Sequence, residues 1–218
     1  MNNYSNYQST RFNFNSKRRI VWKEIAKYLQ VYIPNDSTIV DLGSGYCDFI
    51  NEIQAKNKIA VDAYINPKDY CNPNIKALFC DYKKLNKELK NNSIDIFFLS
   101  NFLEHLSLKH AYKCIKIIKN KLKTRGKIII IQPNYKYCSK NYFDDYTHIK
   151  VWSDESLKDF LKSNDFKIIK IKPKFLPFSL KSKLPTSKIL IKLYLHSPFK
   201  PLGKQMLIIT ELNKNVEK

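Results

Sequence analysis

A layered α/β fold, one mostly parallel sheet with helices on both faces, is what the 218-residue chain predicts. Three observations carry it. Seven segments of strand length, rich in Ile, Val and Phe, recur along the chain; helical periodicity separates several of them; and the strand segments are apolar on both faces, as a helix-covered sheet requires. The length suits one domain with an embellishment.

Residues 1–16 carry Asn, Ser and Tyr without periodicity and read as a loose arm. From Lys17, the residues Ile20, Val21, Ile25, Ala26 and Leu29 share a helical stripe that Pro34 closes, so 1–36 is expected to be an arm and a helix. Strands follow at 37–42 and, after Gly43-Ser44-Gly45 and a short helix holding Phe49, Ile50 and Ile53, at 58–63. Further strands are expected at 75–79 and 93–100. The clearest helix is 107–123, where Leu108, Ala111, Tyr112, Ile115, Ile118 and Leu122 recur at helical spacing, with Gly126 suited to the stop after it. A fifth strand at 127–132 ends at Pro133. Ser153 is placed to cap a helix containing Leu157, Phe160 and Leu161, and Asp154 and Glu155 favour its first turn. Residues 166–171 and 206–212 are the last two strands. Between them, 172–205 holds five prolines and many lysines, too long for a plain connection, with one short helix at 189–195. The main domain is thus 37–212 with 172–205 as an insert, followed by a tail, 213–218.

Hydrophobic residues at 44% and aromatics at 13% exclude a mostly disordered chain. Lys and Arg number 39 against 19 Asp and Glu, a net charge of +20 that invites a nucleic-acid partner. The positive charge is almost all Lys, with Arg at positions 11, 18, 19 and 125 alone, and bidentate recognition of phosphate or guanine favours Arg, so nucleic acid is disfavoured. Five cysteines with no CxxC pair suggest neither a disulfide framework nor a zinc ribbon, and no His/Cys/Asp grouping has metal-ligand spacing. Residues 1–14 lack the apolar stretch of a signal peptide, and the longest aliphatic run, 128–131, is too short to cross a bilayer. The expected location is cytoplasmic, with peripheral contact to the inner membrane face through 172–203, where Phe175, Leu176, Phe178, Leu193 and Tyr194 supply apolar surface.

The informative stretch is Asp41-Leu42-Gly43-Ser44-Gly45-Tyr46-Cys47-Asp48, where a buried strand turns. Glycines suit a place where the backbone must turn sharply and let a ligand approach. A dinucleotide fingerprint would put its third glycine at position 48, and Asp48 would repel a pyrophosphate, which disfavours NAD and FAD. Asp41-x-Gly43-x-Gly45 instead resembles the first motif of the class I S-adenosylmethionine (SAM) methyltransferases, which have a Rossmann-like fold. The resemblance continues with Asp62 at the end of the second strand, Asp81 after the third, Asp95 opening the fourth, residues 100–106 (SNFLEHL), and Gly126-Lys127 leading into the fifth. It covers roughly 39–171, and it departs from the pattern at Cys47, where many members have a third glycine.

The resemblance implies SAM as cofactor, seated by Asp41, Gly43, Gly45, Asp62 and Asp81, with Asp62 holding the ribose hydroxyls and Asp81 the adenine amino group. It also implies that the last two strands form an antiparallel pair bracketing the insert. His105, beside Glu104 past the fourth strand, is the first candidate for a general base, and His148 in the 144–148 loop is the second. Asn134 and Tyr135 are candidate acceptor-binding residues. Arg11, Phe12, Asn13 and Phe14, with Arg18 and Arg19, could fold over the site. The N-terminal helix, the 135–148 loop and the tail also resemble bacterial methyltransferases associated with polysaccharide gene clusters, which implies a hydroxyl or amine on a small molecule or glycan as acceptor. A tRNA or rRNA methyltransferase and a non-catalytic basic binding module remain as alternatives.

Overall fold

The structure, a computed structural model, describes residues 13–15, 17–177 and 187–213. Seven strands form one sheet: β1 (Thr38–Leu42), β2 (Asn57–Asp62), β3 (Lys76–Phe79), β4 (Ile94–Ser100), β5 (Leu122–Pro133), β6 (Phe166–Pro177) and β7 (Gly203–Leu212). Their order is β3-β2-β1-β4-β5-β7-β6. All pairs up to β5 are parallel, and β7 runs antiparallel to both β5 and β6. The expected mostly parallel sheet with an antiparallel last pair is therefore observed.

Helices cover both faces, and the strand period of two decides which residues meet them. On one face Val40, Phe97, Leu99, Ile128 and Ile130 pack with α3 (Leu108–Lys121) and α5 (Asp154–Lys162). On the other, Ile39, Phe98, Ile129 and Ile131 pack with α1 (Lys17–Leu29), joined by Leu195 from α6 (Lys188–His196). Each fully buried Ile or Phe contributes roughly 1.5–3 kcal/mol relative to exposure, so these alternating strands anchor both layers. Ser107 caps α3 by accepting from the His110 N–H, and Ser153 caps α5 in a reciprocal box with Ser156. Two one-turn helices, α2 (Leu85–Glu88) and α4 (Tyr135–Cys138), complete the set among the described residues. No helix among them is long and apolar enough to cross a membrane.

Three expectations need correction. The segment holding Phe49, Ile50 and Ile53 is a series of turns, not a helix: Cys47 sits at φ 59°, and isolated i to i+4 bonds such as Asn51 N–H to Cys47 O (3.1 Å) do not propagate. The fifth strand begins at Leu122, so Gly126 lies inside it and not after a helix. The 172–205 insert is shorter than expected, because β6 continues to Pro177 and β7 starts at Gly203, pairing Lys172 with Leu207 and Leu176 with Gln205. Pro173 and Pro177 are tolerated because β6 is an edge strand. Phe175 and Leu176 are accordingly buried in the α1 layer and are not surface residues, while Phe178, Lys181 and Lys183 lie outside the described residues.

Candidate active site

The strand order reverses between β1 and β4, and a crevice opens there at the carboxyl ends of the strands, where open α/β sheets bind ligands. Beyond β1 the chain turns through Gly43 (φ 78°) and Gly45 (φ 51°). A Cβ at Gly43 would come within 2.7 Å of Phe102 Cδ2, so glycine is required by both dihedral and space. The Gly43 and Ser44 N–H groups donate to Val61 O at 2.8 and 3.0 Å, tying the turn to β2.

Asp62, at the end of β2, completes this frame. Its Oδ2 accepts from the Gly45 N–H (2.9 Å), and its Oδ1 accepts from the Tyr64 and Ile65 N–H groups (2.8 and 2.9 Å). Asp81 follows β3 and caps a short turn by accepting from the Lys83 N–H at 2.9 Å. Asp41 is buried at the end of β1. Its pKa is raised well above the ordinary carboxylate range, first by burial and then by Asp62 and Asp48, against a weaker pull from the Ile50 N–H. Asp95 lies at the opposite strand end, accepting from the Thr38 N–H and from Lys123 (both 2.8 Å), a structural tie.

One cavity is lined by Asp41, Gly43, Gly45, Asp62, Asp81 and His105 together. Its ionisable lining, among the described residues, is unlike the surface of this chain: four aspartates, counting Asp48, stand against Arg18, and no lysine is present. Arg18 comes from α1 and pairs with Asp48 at 3.1 Å, so the basic N-terminal segment does reach the site. Phe14 packs against Tyr46 and Tyr70 (centroids 5.5 and 5.8 Å), bringing the described part of the arm onto the glycine turn. Arg11 and Phe12 lie outside the described residues. Trp22, Phe49 and Phe98 give the cavity an aromatic wall, with Phe49 and Phe98 stacked at 3.7 Å. Cys47 is buried in the left-handed region, its thiol pushed up to about 12 by burial, so it fills space and is no nucleophile.

Past β4, Leu103–His105 form a single 3-10 turn. The 135–152 loop is stitched to it: the Ile149 and Lys150 N–H groups donate to Glu104 O (2.8 and 3.0 Å), and Trp152 Nε1 donates to Leu103 O at 3.3 Å. This docking sets His148 beside His105, with ring centroids 5.0 Å apart. Desolvation at the cavity wall, and next the neighbouring His148, lowers the His105 pKa to about 4, so its ring is neutral. Glu104 is fully buried, and neither carboxylate oxygen has a hydrogen-bond partner; burial and then Asp145 push its pKa up to about 8. The Glu104 and Phe102 N–H groups lie near enough to oppose that shift but outside hydrogen-bonding geometry.

The remaining candidates lie elsewhere. His148 is buried behind His105 and does not line the cavity. Asn134 is fully buried, and its Nδ2 donates to Asp154 Oδ1 (2.9 Å) and Pro173 O (3.1 Å), a clamp between α5 and β6 with no group left facing the cavity. Tyr135 packs on Tyr142 and Phe143, also outside the cavity. Neither residue, both expected to bind the acceptor, lines this cavity, and their contacts buttress the loop. Arg18 with Asp48, and Glu104 with both histidines, are groupings that sequence spacing does not reveal, because each joins separate elements.

No protein-family model matches the chain. Over 148 residues, 65% of the chain, it is 25% identical to a phosphoethanolamine N-methyltransferase of Plasmodium falciparum, and it spans about half (51%) of that protein's length. Among solved structures it superposes on a SAM-dependent methyltransferase of Archaeoglobus fulgidus with a TM-score of 0.68 at 20% identity, covering 96% of this chain and 100% of that one. A SAM-dependent methyltransferase of Aquifex aeolicus gives 0.61 at 13% identity, covering 97% and 100%. The acid-lined crevice therefore sits in a chain whose fold is the Rossmann-like fold of the SAM-dependent methyltransferases.

Proposed function

We propose that the chain is a class I SAM-dependent methyltransferase acting on a hydroxyl or amine of a small-molecule or glycan acceptor in cell-surface polysaccharide biosynthesis. The observation that carries the reading is the cavity at the sheet's switch point, where a glycine turn and Asp41, Asp62 and Asp81 meet. An acidic cavity in a chain of net charge +20 suits a ligand bearing a sulfonium and an ammonium group, and it opposes pyrophosphate or nucleic acid. The lack of a Cβ at Gly43 lets the Phe102 ring pack against the turn, and both residues line the cavity that such a ligand would enter.

Bound there, SAM would supply an electrophilic methyl group. Asp62 would meet the ribose hydroxyls through Oδ2, the oxygen that accepts only one of the three N–H groups it orders, and Asp81 would hold the adenine amino group. Arg18 offers a partner for a carboxylate at the same wall. His105 presents a neutral imidazole to the cavity and would meet the acceptor there, with alignment of the two reactants as the main contribution of the protein.

An amine acceptor is supported by the N-methyltransferase relative. Membrane contact through 172–203 is supported by exposed Ile189, Leu190, Leu193, Phe199 and Leu202, which stand among Lys188, Lys192 and Lys200. SAM or its demethylated product at ~100 times Kd is expected to raise Tm by roughly 5–10 °C, and Asp62→Ala to remove the shift. No shift with either ligand overturns the reading. A radiolabelled methyl group appearing in a cell-surface glycan extract and not in RNA supports the acceptor class; the reverse overturns it.

A further inference from the structure

We propose that Glu104, His105 and His148 form a binding site for a first-row divalent cation at the wall of the cavity. One ligand-capable atom from each of the three residues lies within 4.8 Å of those of the other two. Two imidazoles and one carboxylate are a three-ligand set that leaves coordination positions open for water or substrate.

The hydrogen bonds around the rings fix the tautomers this requires. His148 Nδ1 lies 2.6 Å from Tyr142 O, and a carbonyl oxygen can only accept, so Nδ1 carries the proton. His105 Nδ1 lies 3.2 Å from Thr147 O and 3.0 Å from Thr147 Oγ1, whose own proton goes to Asp145 Oδ1 at 2.6 Å. Nδ1 of His105 is therefore the donor as well. In the neutral form of both rings the lone pair is on Nε2, the arrangement of metal-ligating histidines whose other nitrogen is held by a backbone carbonyl.

Glu104 supplies the independent observation. It is fully buried and its two carboxylate oxygens have no hydrogen-bond partner, although buried acids are normally paired or bound to a metal. A cation held between Glu104 and the two Nε2 atoms would satisfy that carboxylate. His105 and Thr147 both line the cavity, so the open positions would face the ligand space. A cation there would polarise an acceptor hydroxyl, replacing direct contact of that group with the His105 ring.

The site stands apart from the methyl-transfer reading, since its test needs no SAM. The full chain, stripped with a chelator, is titrated with Co2+, Zn2+ or Mn2+. The expected result is uptake of one cation per chain, a visible absorption band for Co2+ bound to nitrogen and oxygen ligands, and a rise in Tm. Glu104→Gln keeps the side-chain shape and removes the carboxyl group that would ligate the cation. It is expected to leave the metal-free Tm unchanged or higher while weakening uptake by at least about tenfold. His148→Gln, as a second variant, should lose the Co2+ band likewise. No stoichiometric uptake by the wild-type chain overturns the proposal, as does uptake that both substitutions leave intact.

Discussion

The two sides of the cavity are built differently. The proposed cofactor side is made at the ends of β1, β2 and β3 from short local segments, the glycine turn, Asp62 and Asp81, each hydrogen-bonded within a few residues or to the adjacent strand. The proposed acceptor side is made by a long-range dock: residues 135–152 close on the Leu103–His105 turn through backbone carbonyls, and Asn134 holds the loop base to α5 and β6. A local device can be altered with local consequences. A dock between distant segments fails as a unit, and its side chains carry both the packing and the chemistry.

The largest effect should come from the base of the dock. Asn134→Ala leaves the buried Asp154 carboxylate and the Pro173 carbonyl without their amide partner, at a cost of about 3 kcal/mol, or roughly 6–12 °C in Tm. SAM affinity of the molecules that remain folded should be unchanged in isothermal titration. A selective loss of SAM affinity with normal stability would mean that Asn134 touches ligand and that the two sides are not separate.

Asp41 tests the cofactor side, with a smaller and pH-dependent effect. Its folded pKa is raised, by burial first and then by Asp62 and Asp48, so between the ordinary carboxylate pKa and that raised value the folded state binds more protons than the unfolded state. Stability then falls as pH rises through this window. Asp41→Asn should raise the Tm of the ligand-free chain by a few degrees near pH 8, and the gain should shrink towards pH 5. The difference between the two proteins is the quantity to measure, because acidification also adds positive charge to a chain already at +20. A gain that grows towards low pH would show that Asp41 is held ionised.

Legibility in the sequence follows the same division. Strands β1 to β4 and helices α3 and α5 were readable because apolar period and caps such as Ser107 and Ser153 are local signals. Asp41, Gly43, Gly45, Asp62 and Asp81 were readable because they sit at strand ends in chain order, and one cavity brings them together. The extension of β6 to Pro177 was hidden by its prolines, which argue against a strand anywhere but at a sheet edge, and edge position is a property of the whole sheet. The grouping of Glu104 with His148 had no spacing to betray it, since 43 residues of strand, helix and loop return before the dock closes. Arg18 reaches Asp48 only because α1 lies across the β1 turn.

Cys47 marks the smallest expected effect and sharpens the account of the glycine turn. At φ 59° a non-glycine residue costs roughly 1–2 kcal/mol, which Gly at this position would relieve. Against that stand the entropy of an added glycine, about 0.5–1 kcal/mol, and the loss of a buried methylene and thiol, about 1 kcal/mol. These nearly cancel, so Cys47→Gly should move Tm by less than ~3 °C and leave SAM affinity within a few fold. The thiol is buried and unionised, and its nearest polar contacts are long, 3.8 Å to Ser44 Oγ and to Pro67 O, so no strong hydrogen bond is lost. A large drop in Tm would show that packing of the thiol, and not the backbone turn, holds the loop. The cofactor side would then be as dependent on remote contacts as the acceptor side, through Pro67 beyond β2.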